Sequence, residues 1–220
     1  MKPEDLKPLF PRQHPAVIYQ DRFLSFPRHV KESFVLPSWN EIFVHQQPIY
    51  VEYCSGNGHW ITEQAQACPH LNWIAVELQF ERARKIWAKR ENLKLDNLLI
   101  VCAEACYFTQ HYLPSASIHG VFIHFPDPWP KRRHAKHRLI QPSFLEQVTR
   151  VAAPDAEFLF VSDDFSYIEQ TLSLLSPMKE WKHCFDAPYF IEQQEYGSST
   201  FALLWQQMGR SFRLTKFKRL

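Results

Sequence analysis

From residue 49 onward the chain alternates short apolar runs with amphipathic stretches, and that alternation constrains the fold more than any other feature. Residues 49–54 read as a buried strand and 59–68 as a helix ended by Pro69. A second strand spans 73–77, and a charged helix follows over about 80–93. Third and fourth strands are predicted at 97–102 and 121–125, a helix at 143–152, a fifth strand at 157–161 and a helix at 165–175. Strands separated by helices need right-handed crossovers, which gives an α/β fold with an open, mostly parallel sheet covered on both faces. Residues 201–205 and 212–214 are expected as closing strands, a hairpin turned at Gly209. Prolines crowd the first 48 residues, so 1–40 are expected as an irregular or partly helical extension and 41–220 as the domain itself.

In such a sheet, ligands bind beyond the carboxyl ends of the strands. The loop after the first strand, Cys54-Ser55-Gly56-Asn57-Gly58, holds two of only five glycines in 220 residues. A chain this poor in glycine keeps it where the backbone needs it. Glu77 ends the second strand, 21 residues after Gly56, where a carboxylate accepts both hydroxyls of a ribose. A dinucleotide fingerprint wants a small residue where this chain has Ile61, and the lysine and Ser/Thr of a P-loop are absent. Glu52 in the first strand and Glu104 after the third would repel a pyrophosphate yet suit a cation. S-adenosylmethionine, with a sulfonium, an ammonium and no phosphate, fits these acids better than NAD does.

The loop after the fourth strand, Phe125-Pro126-Asp127-Pro128-Trp129-Pro130, places three prolines around one carboxylate. Prolines fix the chain in extended and turn conformations, which holds Asp127 with little entropy left to lose on binding. Trp129 either stacks on a base or packs under the loop. Two basic runs, 131–138 and 210–219, carry ten of the 25 basic residues and none of the 23 acidic ones. Concentrated positive charge on an otherwise acidic chain points to a polyanionic partner. Lys131, Arg132, Arg133, Lys136, Arg138, Lys216, Lys218 and Arg219 are the expected contacts to a nucleic-acid backbone.

Phe125-Pro126-Asp127-Pro128-Trp129-Pro130-Lys131, with Arg133-His134, Lys136, Arg138-Leu139 and Gln141-Pro142, resembles the signature of the bacterial tRNA (guanine-N7-)-methyltransferase family. The resemblance is dense over 125–145 and looser over 49–205. It implies a Rossmann-like class I methyltransferase with a seven-stranded sheet. It further implies methylation of N7 of guanosine 46 in the variable loop of tRNA, with S-adenosylmethionine as donor and no metal. By this resemblance the cofactor-binding acids fall on Glu52, Glu77, Glu104 and Asp127, beside Gly56 and Gly58, and Asp127 is the catalytic residue. Substrate contacts fall on Lys131, Asp163, Ser199 and Thr200. Three departures stand out: Cys54 replaces a glycine, which implies a less tight turn; Glu104 replaces an aspartate; and Ala202 stands where the family has a glutamate.

Other classes compete less well. Hydrophobic residues at 45% and charged residues at 22% are ordinary for a globular protein, which excludes disorder and a coiled coil. No apolar run reaches the roughly 18 residues of a membrane span, and the first residues lack the apolar core of a secretion signal. Five scattered cysteines do not form a disulfide framework, and a reducing cytoplasm is the expected setting. Cys102-x3-Cys106 lacks the paired spacing of a zinc site. An NAD(P)-dependent oxidoreductase and a silent RNA-binding protein remain the rivals. Tight dependence on a protein partner is not expected; the protein is expected to be a monomer or homodimer.

Overall fold

The computed structural model describes residues 18–26, 34–192 and 211–220. They fall into two compact units, one reaching to Phe108 and one beginning at Thr109. The expected closing strand at 201–205, the turn at Gly209, and Ser199, Thr200 and Ala202 lie outside the described residues.

The first unit holds strands β1 (Ile18–Gln20), β2 (Phe23–Ser25), β3 (Ile49–Tyr53), β4 (Asn72–Glu77) and β5 (Leu98–Cys102), in sheet order β1-β2-β5-β4-β3. Its helices are α1 (Trp39–Ile42), α2 (His59–Ala67) and α3 (Phe80–Leu93), and the boundary between units falls within α4 (Ala105–Tyr112). Every pair except β1–β2 is parallel. All six residues of β4 and all five of β5 are buried, although alternate side chains point to opposite faces, so both faces are covered. Part of that cover is α3, whose Ala83, Ile86, Trp87 and Arg90 make a buried stripe at helical spacing.

Within the N-terminal extension, residues 18–26 are described. Strands β1 and β2 form a hairpin across Asp21 and Arg22, whose φ values of 47° and 56° are those of a mirror-image turn that matches strand twist. Arg90 donates to the Asp21 carbonyl at 3.1 Å, and β2 pairs with β5 through Phe23, Leu24 and Ser25. Asp-Arg is not a turn sequence, so tertiary contacts hold this hairpin.

The second unit holds β6 (Ile118–His124), β7 (Ala152–Ser162), β8 (Trp181–His183), β9 (Phe190–Glu192) and β10 (Phe212–Arg219), with a 3-10 helix at Arg132–His137 and helices α5 (Pro142–Val151) and α6 (Phe165–Leu175). Its order is β6-β7-β10-β8, with β9 also on β10. β6 and β7 are parallel, whereas β10 runs antiparallel to each of its partners. Pro142 starts α5, where a missing N–H costs nothing, and Asp164 caps α6 by accepting the Tyr167 N–H at 2.9 Å. Six of the seven expected strands lie among the described residues, and the four others there, β1, β2, β8 and β9, are three-residue pieces too short to show periodicity.

Candidate functional site

In the first unit, the candidate residues gather where the parallel strands β3, β4 and β5 end. The chain leaves β3 through Cys54 (φ 60°), Gly56 (φ 55°) and Gly58 (φ 72°), three left-handed residues within five positions. Cys54 therefore adopts the left-handed conformation that glycine favours, at a cost of roughly 1–2 kcal/mol for an L-residue. Glu77 ties this loop to the end of β4. Its Oε2 accepts the Gly56 N–H at 2.8 Å, and its Oε1 accepts the Gln79 N–H at 2.8 Å. Burial raises the Glu77 carboxyl above the ordinary glutamate value, with partial relief from those amides. Glu52 is buried within β3, and the Ser55 hydroxyl donates to its carbonyl at 3.0 Å.

The two glycines differ in what surrounds them. A Cβ on Gly56 would meet nothing nearer than the Cys54 carbonyl at 3.9 Å, so the backbone there is open to an approaching group. A Cβ on Gly58 would lie 2.7 and 2.9 Å from the two γ-carbons of Ile86 on α3. Gly58→Ala combines that overlap with the left-handed φ and is expected to destabilise the protein by about 3 kcal/mol, read from the urea midpoint. Adding Ile86→Ala should recover at least about 1 kcal/mol relative to the sum of the single effects. Strict additivity would refute the packing account.

Glu104 is exposed and caps α4, accepting the Cys106 N–H at 3.0 Å and the Tyr107 N–H at 2.7 Å. Sequence reading missed this helix, although an acid directly before it is a known start signal. Burial pushes the Cys102 thiol up to about 11 and, with Glu104 adding to it, the Cys106 thiol up to about 12. Both stay protonated near neutral pH. Among the described residues no group of three or more His, Cys, Asp or Glu is placed to hold a metal ion, and no helix is long and apolar enough to cross a membrane.

In the second unit, β6 ends at His124 and the proline-rich loop begins. Phe125 (φ 48°) and Trp129 (φ 42°) are left-handed, and each stands directly before a proline. Between them Asp127 is exposed, and its carboxylate takes no hydrogen bond from a described residue. Trp129 is partly exposed and packs edge-on against His134 (5.8 Å between ring centroids) and tilted against His137 (5.2 Å). Lys131, Arg133 and Lys136 are exposed, whereas Arg132 is described only by its backbone. Asp163 is half-buried immediately after β7.

Four of the expected nucleic-acid contacts are occupied within the protein. Arg138 is 6% exposed, with its guanidinium taken by the Pro128 carbonyl, Ser166 and Gln170. Lys216 pairs with Glu157 at 2.7 Å and Lys218 with Asp155 at 2.8 Å, and Arg219 donates to the Glu180 carbonyl. Arg213 faces Ser162 in the ladder and Lys218 faces Glu157, so the end of β10 lies five residues back along β7, roughly 17 Å from its carboxyl end at ~3.4 Å per residue. The structure therefore does not bring Lys216, Lys218 and Arg219 to the edge that carries Asp127 and Asp163. Arg213 does reach that edge, stacked 4.8 Å from the Phe165 ring and 5.6 Å from that of Tyr189. Its place in the second basic run was the only sequence signal for it.

Residues 46–212 match the family described as "Putative methyltransferase". The tRNA (guanine-N(7)-)-methyltransferase of Chlamydia felis is 42% identical to this chain, covering 99% of it and 97% of that relative. The enzyme of the same name from Rubrobacter xylanophilus is 31% identical over 78% of this chain and 76% of its own. Among solved structures, the 16S rRNA methyltransferase KamB is similar with a TM-score of 0.65, at 16% identity, over 86% of this chain and 95% of that one. An antibiotic-related methyltransferase matches with a TM-score of 0.58 at 18% identity, over 84% and 96%. At such identities the structural likeness speaks for the fold, which is Rossmann-like α/β.

Proposed function

The chain belongs to the tRNA (guanine-N7-)-methyltransferase family, and from that premise we propose that it methylates guanosine 46 in the variable loop of tRNA. It is a tRNA methyltransferase acting on guanine N7. S-adenosylmethionine is the donor and S-adenosylhomocysteine the product. The catalytic domain is taken as residues 41–220, which encloses the family match.

The glycine loop fits this donor. Its backbone is open at Gly56, a ribose-type acid stands at Glu77, and no P-loop lysine is present to answer phosphates. When bound, the cofactor supplies an electrophilic methyl group on sulfur. Glu77 is assigned to the ribose, and Glu52 and Glu104 to the cationic, acid-seeking side of the ligand. Guanine N7 carries an in-plane lone pair and no proton, so no base is needed to create the nucleophile. The residues then have mainly to orient, which supplies roughly 7–11 kcal/mol of a barrier in favourable cases. Asp127 is assigned to accept hydrogen bonds from the cofactor's amino group or from the guanine N1 and N2 edge. Lys131 and Asp163, with Ser199 and Thr200, are assigned to the substrate, and the exposed Arg133 and Lys136 to RNA phosphates.

The observation that carries this reading is the proline-caged loop, with an exposed carboxylate and exposed cations directly after it. Transfer from labelled S-adenosylmethionine to unmodified tRNA transcripts, followed by digestion and mass spectrometry, is expected to give 7-methylguanosine at position 46. Product at another guanosine would overturn the position, and an absence of product with every tRNA would overturn the substrate.

A further inference from the structure

We propose that Arg138 is a positioning residue for methyl transfer, tying the loop that carries Asp127 to the segment that follows Asp163. The inference rests on the reading of those two acids given above. Phe125 and Trp129 are both left-handed and both precede a proline, a conformation costing an L-residue roughly 1–2 kcal/mol each. Such backbone persists only where its surroundings hold it. At one end, the Phe125 N–H donates to the Val161 carbonyl at 2.9 Å, and its ring packs edge-on against Phe212 at 5.3 Å.

The other end has few handles. Pro126, Pro128 and Pro130 have no N–H, so the loop offers mainly carbonyl acceptors, and a multidentate donor is the complement. Arg138 is that donor. Its Nε donates to the Pro128 carbonyl at 2.7 Å. Its Nη1 donates to Gln170 Oε1 at 2.8 Å, and its Nη2 to the Ser166 hydroxyl at 2.7 Å. Asp164, next to Asp163, lies 3.7 Å from Nη2. The guanidinium sits 4.7 Å from the Tyr167 ring centroid, and the Tyr167 hydroxyl accepts the Ile140 N–H at 3.1 Å. One planar fork therefore joins the loop after β6 to the first turns of α6. A lysine keeps the charge but has no fork to bridge both.

The test compares Arg138→Lys with the double variant Ser166→Ala/Gln170→Ala, which removes only exposed or half-buried partners on α6 and keeps the cation. Hydrogen exchange at the Phe125 and His134 amides, which flank the loop and donate to the Val161 and Lys131 carbonyls, is expected to speed up in both variants while core β7 stays protected. At saturating substrates kcat should fall roughly 10- to 100-fold for Arg138→Lys and less for the double variant. The tRNA Kd should change less than about threefold, with an unchanged salt slope. A weaker tRNA Kd with a shallower salt slope in Arg138→Gln, together with unchanged kcat in Arg138→Lys, would make Arg138 a phosphate contact and overturn the proposal. Unchanged exchange at those two amides would overturn it equally. Failure of the functional reading looks different: the wild-type protein itself forms no 7-methylguanosine, and exchange alone then decides whether the clamp exists.

Discussion

Asp127→Ala is expected to lower kcat for methyl transfer about a thousandfold while the protein unfolds at the wild-type denaturant midpoint. The side chain is exposed at the tip of a loop held by three prolines and by contacts from neighbouring residues, so truncation removes no packing. What it removes is a pair of acceptor oxygens. Hydrogen bonds to a charged group contribute about 1.5–3 kcal/mol each, and two of them near 2 kcal/mol give roughly a factor of a thousand. Asp127→Asn should fall almost as far, because its amide nitrogen would face a donor N–H. The kinetics also identify the partner. Contact with the guanine edge lowers kcat and kcat/KM for tRNA at an unchanged cofactor Kd; contact with the cofactor's amino group raises that Kd. A wild-type kcat in Asp127→Ala with both substrates saturating would remove the catalytic assignment.

How much of this was legible depended on whether the signal was local. Residues 80–93 and 165–175 were read to their observed ends because each apolar stripe has helical spacing and is bounded by turn or cap residues. The place of Glu77 at the end of β4 was legible because a βαβ unit fixes the spacing between a first loop and a second strand end, but its hydrogen bond to the Gly56 amide was not. Arg138 was not, since a cation inside a basic run looks solvated and its partners lie 28 and 32 residues away on α6. The partner of Lys216 was hidden for the same reason: Glu157 is 59 residues distant, and only the antiparallel register of β10 on β7 brings them together. The left-handed backbone at Cys54 was not legible either, since the residue type implied only a less tight turn.

Glu77→Ala is expected to weaken S-adenosylmethionine binding at least a hundredfold by calorimetry, with a smaller effect on kcat at saturating cofactor. The Glu77 carboxylate already accepts one backbone amide on each oxygen, from Gly56 and Gln79. A carboxylate has about four lone-pair sites, so two remain for ribose hydroxyls without displacing the amides. Losing two charge-assisted hydrogen bonds costs at least about 3 kcal/mol, which is more than a hundredfold in Kd. The loop amide loses its tether as well. The pH dependence supplies an independent check, because burial raises this carboxyl above the ordinary glutamate value. Between the unfolded and folded values the native protein keeps a proton that the unfolded chain has released. Stability therefore falls as pH rises through that window and levels off above it. Cofactor affinity runs the other way, since ribose hydroxyls need the ionised acceptor, and it weakens as pH drops through the folded value. Glu77→Gln should abolish both slopes. Wild-type affinity that stays flat across the same window, or a Glu77→Ala protein that binds within about threefold of wild type, would remove Glu77 from the cofactor site and leave it only the loop to hold.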